Sequence, residues 1–355
     1  MSIIVWLIII NIAVFIHEMA HYTFAKIQGV PVKAFSIGMG PILARFQARG
    51  TEWRISALPI GGYVDIEGMA PTIDENGNTV PPSTGMAKLG YWGKFAVLFA
   101  GPASNIILAI LIVAAVLIGQ GKPEVTGRTK LFEVIKGSQA EKIGFKSGDF
   151  IVSINQKSIQ KPEQVQKLLK TNGKHTLGIQ RIENGLTKNL EILFDWSPIT
   201  KPGQVRPYFG VKLGPEEIYK HLNLLEALGT SSTTLLGAIP MYISKVFEGI
   251  FNTFTFQPSE VSGPVGTVQV VSTFLDQGFY ALLYLAGMIN FGLGIFNLLP
   301  IPGLDGGRIL LNSITAIRRR PFAPGQEEFI NFIGFAFVLV FMALVTLKDV
   351  FVPRP

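Results

Sequence analysis

Four long apolar stretches dominate the pattern of hydrophobic and polar positions along the chain. They cover residues 3–25, 95–119, 279–299 and 329–347. Each is long enough to cross a lipid bilayer as a helix, which needs about 20 residues. The pattern therefore predicts a multi-span α-helical membrane protein with about four transmembrane helices.

A different periodicity occupies the chain between the first two stretches. Over residues 42–47 and 52–58, apolar and polar side chains partly alternate, and residues 49–51 between them favour a turn. Alternation of period two is typical of β-strands, because successive side chains point to opposite faces. We predict a membrane-associated β-hairpin or small sheet within residues 32–66.

Between the second and third stretches, the chain changes to the composition of a domain outside the bilayer. Over residues 122–196, short apolar runs are interleaved with Lys, Glu, Gln and Asn. Residues 140–155 combine a glycine-punctuated helix and turn with an alternating strand, and residues 162–170 have the pattern of a short helix. This segment resembles a single PDZ domain of the bacterial protease-associated type, which implies an α+β fold. Another small α+β domain is the alternative.

We expect a linker over residues 197–278, between this domain and the C-terminal membrane segment at 279–355. Its main regular feature is a set of apolar residues at helical spacing of three and four. The set comprises Ile243, Val246, Phe247, Ile250, Phe251 and Phe254. We predict an amphipathic helix that lies on the membrane or against the core.

Composition supports membrane insertion. Hydrophobic residues make up 48% of the 355 residues and charged residues only 15%, which is too apolar for one ordinary water-soluble domain. A cleaved signal peptide is the alternative for the first stretch, but Met1 and Ser2 supply no basic segment before it. We therefore expect the N-terminal membrane core, residues 1–121, to retain the stretch 3–25 as its first transmembrane span.

Basic residues concentrate in the segments that follow the first and third apolar stretches. They are Lys26, Lys33, Lys88 and Lys94 in the former and Arg308, Arg318, Arg319 and Arg320 in the latter. Lysine and arginine near span ends favour the cytoplasm, so we expect both segments to be cytoplasmic. Both termini and the domain at 122–196 would then be extracytoplasmic.

Net charge and cysteine content narrow the classes of partner and metal site. The net charge of +7 fits contact with anionic membrane lipid, and we expect no nucleic-acid partner. The chain has no cysteine, so a bound metal would have to be held by histidine and carboxylate.

His17, Glu18 and His21 form an H-E-x-x-H motif inside the first predicted span. On a helix, side chains four residues apart share a face, so both imidazoles can reach one metal ion. Ionisable side chains are costly to desolvate in a bilayer and are seldom tolerated there without a function. We predict a Zn²⁺ site, with interfacial histidines bonded to backbone groups as the alternative.

Catalytic zinc usually has three protein ligands and one open position, so a third ligand is needed. His175 and His221 belong to the soluble domain and its linker, on the other side of the membrane. Asp305 follows an apolar span that Pro300 and Pro302 must interrupt, so the chain there can turn a side chain inward. We predict Asp305 as the third ligand, with a helix-capping role as the alternative.

These two motifs together resemble the site-2 protease family of intramembrane zinc metalloproteases. The family has H-E-x-x-H in the first span and N-x-x-P-x-P-x-L-D-G-G in a later one, which begins here at Asn297. Residues 59–63, 101–105 and 262–266 also match its pattern. The resemblance is greatest to the bacterial regulator-of-sigma protease group.

The resemblance implies a zinc endopeptidase of the bacterial cytoplasmic membrane, with the active-site end of the first span toward the cytoplasm. Its substrates would be transmembrane segments of proteins such as anti-sigma factors, or remnant signal peptides. Zinc lowers the pKa of bound water to about 7, and Glu18 would take the proton and deliver it to the leaving amine. A strand edge within residues 42–58 would hold the unwound substrate.

The roles of two asparagines and the rival function stay open at this point. Asn297 is implied to contact the substrate backbone or the developing oxyanion, or else to hold the broken helix by a hydrogen bond, and Asn105 has the same two readings. A zinc-binding membrane scaffold or transporter without proteolytic activity is the rival function. The oligomeric state is not predicted.

Overall fold

The computed structural model describes residues 1–69, 72–73, 79–80, 82–168, 173–183, 185–196, 210–257, 262–323 and 325–351. The helices are α1 (Ser2–Ile27), α2 (Tyr91–Gly119), α3 (Gln139–Lys142), α4 (Pro162–Leu168), α5 (Leu224–Phe254), α6 (Pro264–Asp276), α7 (Phe279–Leu298), α8 (Asp305–Arg318) and α9 (Gln326–Phe351), with a 3₁₀ turn at Gly85–Lys88. The strands are β1 (Val32–Ala48), β2 (Thr51–Ile66), β3 (Thr72–Ile73), β4 (Thr79–Val80), β5 (Lys122–Val134), β6 (Phe150–Ile154), β7 (Lys157–Ser158), β8 (Gly173–Glu183), β9 (Leu186–Trp196) and β10 (Val211–Lys220). The chain forms two compact units, Met1–Gly119 with Leu222–Pro355, and Gln120–His221.

Five of the described helices, α1, α2, α5, α7 and α9, are long and apolar enough to cross a membrane. Four of them coincide with the predicted spans. The fifth, α5, has 31 residues and occupies the segment where the sequence predicted a linker with an amphipathic helix. The predicted number of about four spans is therefore not confirmed.

Hydroxyl residues explain why α5 does not stand out in the sequence. Residues 230–234 are all serine or threonine, which interrupts the apolar pattern. Inside the helix, Ser231 and Thr233 bond backward to backbone carbonyls, as when Thr233 Oγ1 donates to the Gly229 carbonyl at 2.8 Å. The predicted apolar stripe does lie on this helix, but Phe247 and Phe251 are 54% and 65% exposed. Such an exposed apolar surface is suited to contact with lipid.

α2 and α7 pack antiparallel, which sets the depth of the segment that follows α7. Gly287 of α7 lies against Val113 of α2, and seven residues later Gly294 lies against Pro102. A Cβ atom at Gly294 would come within 2.8 Å of the Pro102 carbonyl oxygen, so only glycine permits this approach. As a result, α7 ends near the start of α2, and the chain turns there.

The predicted β-structure between α1 and α2 is present and is wider than a hairpin. β1 and β2 are joined by a tight turn at Arg49 and Gly50, whose φ angles are 53° and 70°. Residues 34–37 pair with 62–65 on one side and with 52–55 on the other, while residues 42–48 pair with 51–56. The sheet thus has two outer segments.

Several apolar side chains of this sheet are exposed. They are Ile37, Met39, Ile42, Leu43, Phe46, Ile55, Leu58 and Ile60. So many exposed apolar side chains on one small sheet indicate contact with another apolar phase, which fits the predicted association with the membrane.

The second unit is built on a six-stranded sheet in the order β10-β5-β6-β8-β9, with β7 paired to β6. Its core includes Leu131, Ile151, Ile154, Leu177, Ile179 and Phe194. The unit extends beyond the predicted end at residue 196, because β10 pairs along β5 from Val211 to Lys220. Of the predicted helix at 162–170, α4 covers Pro162–Leu168, and residues 169–170 lie outside the described part, as do residues 197–209 of the predicted linker.

Candidate metal centre

His17 and His21 face the same side of α1, as their spacing predicts. Their ring centroids are 4.7 Å apart, and the Nε2 atoms of the two rings are 3.1 Å apart. The residues are only 7% and 3% exposed. A helix that is apolar on all sides thus carries two buried imidazoles aimed at one point.

Asp305 reaches the same point from the other end of the chain. α7 ends at Leu298, the chain reverses through Pro300 and Pro302, and Asp305 begins α8. Its Oδ2 atom lies 3.1 Å from Nε2 of His17 and 3.2 Å from Nε2 of His21. The structure therefore brings together the three residues that the sequence predicts as metal ligands.

The two glycines after Asp305 make its position possible. A Cβ atom at Gly306 would collide with the carbonyl oxygens of Leu298 and Leu299, and one at Gly307 would collide with that of Ile301. α8 therefore starts in direct backbone contact with the end of α7 and the turn after it. Larger residues at 306 or 307 would push Asp305 away from the histidines.

A hydrogen bond to the backbone determines the tautomer of His21, and so which ring nitrogen offers a lone pair to the candidate metal site. His21 Nδ1 lies 2.7 Å from the Val97 carbonyl oxygen, and a carbonyl oxygen can only accept. Nδ1 therefore carries the proton, so in the neutral ring Nε2 points its lone pair at the Asp305 carboxylate. Two electron-rich atoms so close together are stabilised by a cation between them.

Gly101 of α2 keeps space open beside these atoms. A Cβ atom there would lie 2.8 Å from His17 Nε2 and even closer to His21 Nε2. A side chain at this position would occupy the space in which an ion contacts both rings. Because glycine has no side chain, position 101 leaves this space open, as a metal site requires.

The donor set fits zinc in both chemistry and spacing. Two imidazoles and one carboxylate, with a fourth position open, are a recognised ligand set of catalytic zinc. Bonds of about 2.0–2.1 Å to a tetrahedral ion place ligand atoms about 3.3–3.4 Å apart, and the three separations here are 3.1–3.2 Å. All ligand atoms lie within 4.8 Å of one another.

Glu18 lies next to the three donors without joining them. Its carboxylate interacts electrostatically with His17, His21 and Asp305, and with the backbone of Val64 on β2. A Cβ atom at Gly62 would be 3.9 Å from Glu18 Cγ, so β2 passes directly beside this side chain. Glu18 is therefore placed between the three candidate ligands and the sheet.

The two predicted asparagines occupy different surroundings. Asn105 is completely buried on α2, and its Nδ2 atom lies 3.4 Å from Nδ1 of His17. Asn297 is on the last turn of α7 and is partly exposed. Within the described part of the chain, its side chain makes no hydrogen bond to His17 or Asp305.

Comparison with known proteins covers nearly the whole chain. A model of peptidase family M50 matches residues 5–341. The chain belongs to peptidase family M50. M50 is the family of site-2 proteases, and this chain is a member that carries the donors of a zinc metalloprotease.

Similar proteins occur in several bacteria. The chain is 30% identical to a provisionally named zinc metalloprotease of Clostridium acetobutylicum, over 99% of this chain and 98% of that protein. It is 31% identical to a provisionally named zinc metalloprotease of Brucella suis, over 99% and 95% of the two chains. It is also 28% identical to the provisionally named protease Eep of Enterococcus faecalis, over 98% of each chain.

Sequence reasoning named the three side chains that meet in this candidate site but missed two supporting features. The Val97 carbonyl has no signal in the sequence, since every residue has a carbonyl group. Gly101 stands in the segment 101–105 that matches the family pattern, yet the pattern alone gave it no role. The other histidines lie in the second unit, where His175 bonds to Asn155 at 2.9 Å, and at its end, His221.

Proposed function

We propose that this protein is an intramembrane zinc endopeptidase that hydrolyses peptide bonds within transmembrane segments of other proteins. The observation that carries the proposal is the convergence of His17, His21 and Asp305 around one point on helices apolar enough to span a bilayer. Glu18 adjoins these donors without being one of them, which a purely metal-binding scaffold would not need.

His17, His21 and Asp305 would hold the zinc, and Glu18 would move the proton. Zinc, when bound, supplies Lewis acidity that activates water and polarises a carbonyl group. The Glu18 carboxylate takes a proton from the attacking water and delivers it to the nitrogen of the leaving amine. Its place between the donors and β2 puts it within reach of a peptide laid along that strand.

A transmembrane helix hides its peptide bonds in its own hydrogen bonds, so a substrate must be unwound before cleavage. We propose that a strand edge of the sheet replaces those hydrogen bonds by pairing with the extended substrate. The sequence suggested an edge within residues 42–58. The outer segment at 62–65 is the better candidate, because Gly62 and Val64 lie beside Glu18.

Proline substitutions can separate these two edges. If residues 62–65 receive the substrate, prolines there slow cleavage while zinc content stays normal, and prolines at 42–48 have less effect. Equal rates for both sets of variants would reject the edge at 62–65. Loss of zinc from the first set would show that the sheet itself had been disrupted, and then the 42–48 set alone decides whether that edge acts.

The second unit is proposed to be the PDZ domain, on the extracytoplasmic side of a bacterial cytoplasmic membrane. Its sheet and short helices agree with the α+β fold expected of the segment at 122–196. Such a domain would select substrates whose external part has been trimmed, among them anti-sigma factors or remnant signal peptides, as in the regulator-of-sigma group. Deleting it should change which substrates are cut more than the rate at a fixed site.

Replacing Glu18 by Gln tests the function itself. The full chain would be purified in detergent, and zinc content and cleavage of a model transmembrane peptide would be measured. A protease keeps its zinc and loses cleavage, whereas a zinc-holding scaffold or transporter has no cleavage to lose even as wild type. Glu248→Gln is the matched control, since Glu248 is an exposed residue of α5 whose ion pair among the described residues is with Lys245 of the same helix.

A further inference from the structure

The side chain of Asn105 lies beside Nδ1 of His17, just as the Val97 carbonyl lies beside Nδ1 of His21. Asn105 is 0% exposed and is four residues from Gly101 on the same face of α2. The near atom, Nδ2, is 3.4 Å from His17 Nδ1. The side-chain oxygen of Asn105 is buried and has no hydrogen-bond partner among the described residues. A buried polar atom without a hydrogen-bond partner is energetically costly in a membrane protein, so this placement indicates a function.

The two tautomers of His17 require opposite hydrogen-bonding roles of the Asn105 side-chain amide, as a donor in one case and as an acceptor in the other. With the proton on Nε2, His17 can donate to Asp305 Oδ2 at 3.1 Å, and its Nδ1 atom then accepts from the Asn105 amide. With the proton on Nδ1, the Nε2 lone pair is free for a metal ion, and Nδ1 needs an acceptor. A carboxamide supplies a donor or an acceptor by turning through 180°, because its oxygen and nitrogen have almost the same size.

We infer that Asn105 is a positioning residue that sets the tautomer of His17 for metal binding. Its oxygen, which has no hydrogen-bond partner in the described part of the chain, turns to accept from His17 Nδ1–H when Nε2 binds the ion. This differs from both readings that the resemblance implied for Asn105, a contact with substrate or oxyanion and a hydrogen bond that holds a broken helix. Complete burial of the side chain on α2 supports the positioning role. The inference rests on the metal site of the proposed function and adds the group that orients one ligand.

Substitutions at residue 105 separate this role from simple packing. Asn105→Leu keeps the size of the side chain but offers no acceptor, and loss of such an orienting partner lowers metal affinity by roughly 10- to 100-fold. Asn105→Asp keeps an acceptor facing Nδ1–H, so its zinc affinity should equal or exceed that of the wild type. Zinc affinity of the purified full chain would be measured by competition with a chelator.

Asn290→Leu is the matched control for removing a buried asparagine. Asn290 is 2% exposed on α7, and its Nδ2 atom donates to Ala286 of its own helix at 2.9 Å. Its substitution should leave zinc affinity unchanged. Unchanged affinity in Asn105→Leu, or an equal loss in Asn105→Leu and Asn105→Asp, would overturn the inference.

A second measurement leaves residue 105 and the metal ligands unchanged. The chain has only four histidines, so ¹⁵N-labelled histidine in the zinc-loaded protein gives few signals, and His175→Gln and His221→Gln, both outside the metal centre, identify the signals that do not belong to His17 or His21. The inference expects both remaining rings to be protonated at Nδ1, since His21 Nδ1 already faces the Val97 carbonyl, and a ring protonated at Nε2 would overturn it. Failure of the wild type to bind zinc at all would instead contradict the proposed function.

Discussion

Gly101 of α2 lies directly against the imidazole of His21 on α1. A Cβ atom at Gly101 would touch both His21 Nε2 and, at 2.8 Å, His17 Nε2. Neither ring can simply turn away, because His21 is held by the Val97 carbonyl at 2.7 Å and His17 stands against Asn105. The close approach of two helices, and not only the donors, therefore defines the metal centre.

Gly101→Ala should prevent metal binding without unfolding the protein. The added methyl group fills the space between the rings, and displacement of reacting groups by about 1 Å can already cost 100-fold in rate. We expect peptide cleavage to fall by at least that factor, roughly 100-fold, and zinc content to fall with it. Metal analysis and a cleavage assay measure this directly.

The control for this prediction is Gly237→Ala. Gly237 is on α5, and a Cβ atom there would meet nothing within 4 Å. This variant should retain zinc and activity. Normal zinc content in Gly101→Ala would show that the site is looser than its geometry indicates.

α9 braces the turn that carries Asp305, and this bracing is also testable. Gly334 of α9 packs so closely on Pro302 that a Cβ atom would overlap its carbonyl oxygen, and Asn331 Oδ1 accepts from the Gly303 N–H at 3.2 Å. Gly334→Ala should shift the turn and lower zinc affinity. Asn331→Leu should lower zinc affinity less, by roughly the 0.5–1.5 kcal/mol that one hydrogen bond contributes.

Chelator competition on the purified chain measures both effects. Asn331→Asp keeps the acceptor and serves as the conservative control, so it should bind zinc more tightly than Asn331→Leu. If Gly334→Ala binds zinc as the wild type does, α9 is not a support for the Asp305 turn.

The three side chains that meet in the candidate metal centre were predictable because each has a local signature. His17 and His21 are four apart on a helix, and Asp305 follows a span that two prolines must end. Their meeting, by contrast, depends on Gly294 packing against Pro102, which sets the depth of α7 and has no local signature. The family resemblance supplied that long-range link.

Two elements escaped prediction for different physical reasons. The hydroxyl run at 230–234 hid α5, although Asn223 and Glu226 form a capping box at its start, with both bonds at 3.0 Å. β10 escaped because its pairing with β5 joins strands about 90 residues apart, and no local pattern encodes such a pairing.

The buried ion pair between Asp149 and Arg181 should control the stability of the second unit. The Asp149 side chain is 1% exposed, and it receives two bonds from Arg181 at 2.7 and 2.8 Å. Hydrogen bonding to this carboxylate raises the pKa of Arg181. Asp149→Ala leaves a largely buried guanidinium without its anion, which typically costs about 3–5 kcal/mol.

Hydrogen exchange of the full chain would show this loss as faster exchange confined to the second unit. Glu183→Gln is the contrasting change, because Glu183 makes exposed ion pairs with Lys146 and Lys188, and such pairs contribute little. Similar protection in Asp149→Ala and Glu183→Gln would mean that the buried pair does not stabilise the unit.

Asn11 should control how firmly the sheet is held beside Glu18. Its Nδ2 atom donates to the Pro59 carbonyl at 2.7 Å. Asn11 is seven residues before Glu18 on α1, and Pro59 is three residues before Gly62 on β2, so this bond joins the helix to the strand close to Glu18. Asn11→Leu removes this bond, so the edge at 62–65 loosens while the metal donors keep their places. The KM for a transmembrane peptide should rise roughly 2- to 10-fold, as one hydrogen bond predicts, with zinc affinity unchanged.

Thr23→Val is the matched control on the same helix, because Thr23 Oγ1 bonds only to its own helix, at Met19, among the described residues. It should alter neither KM nor zinc affinity. A fall in kcat with constant KM in Asn11→Leu would place the bond's effect on the chemical step and not on substrate binding. An unchanged KM would mean that the contact between Asn11 and Pro59 does not help to hold the substrate strand.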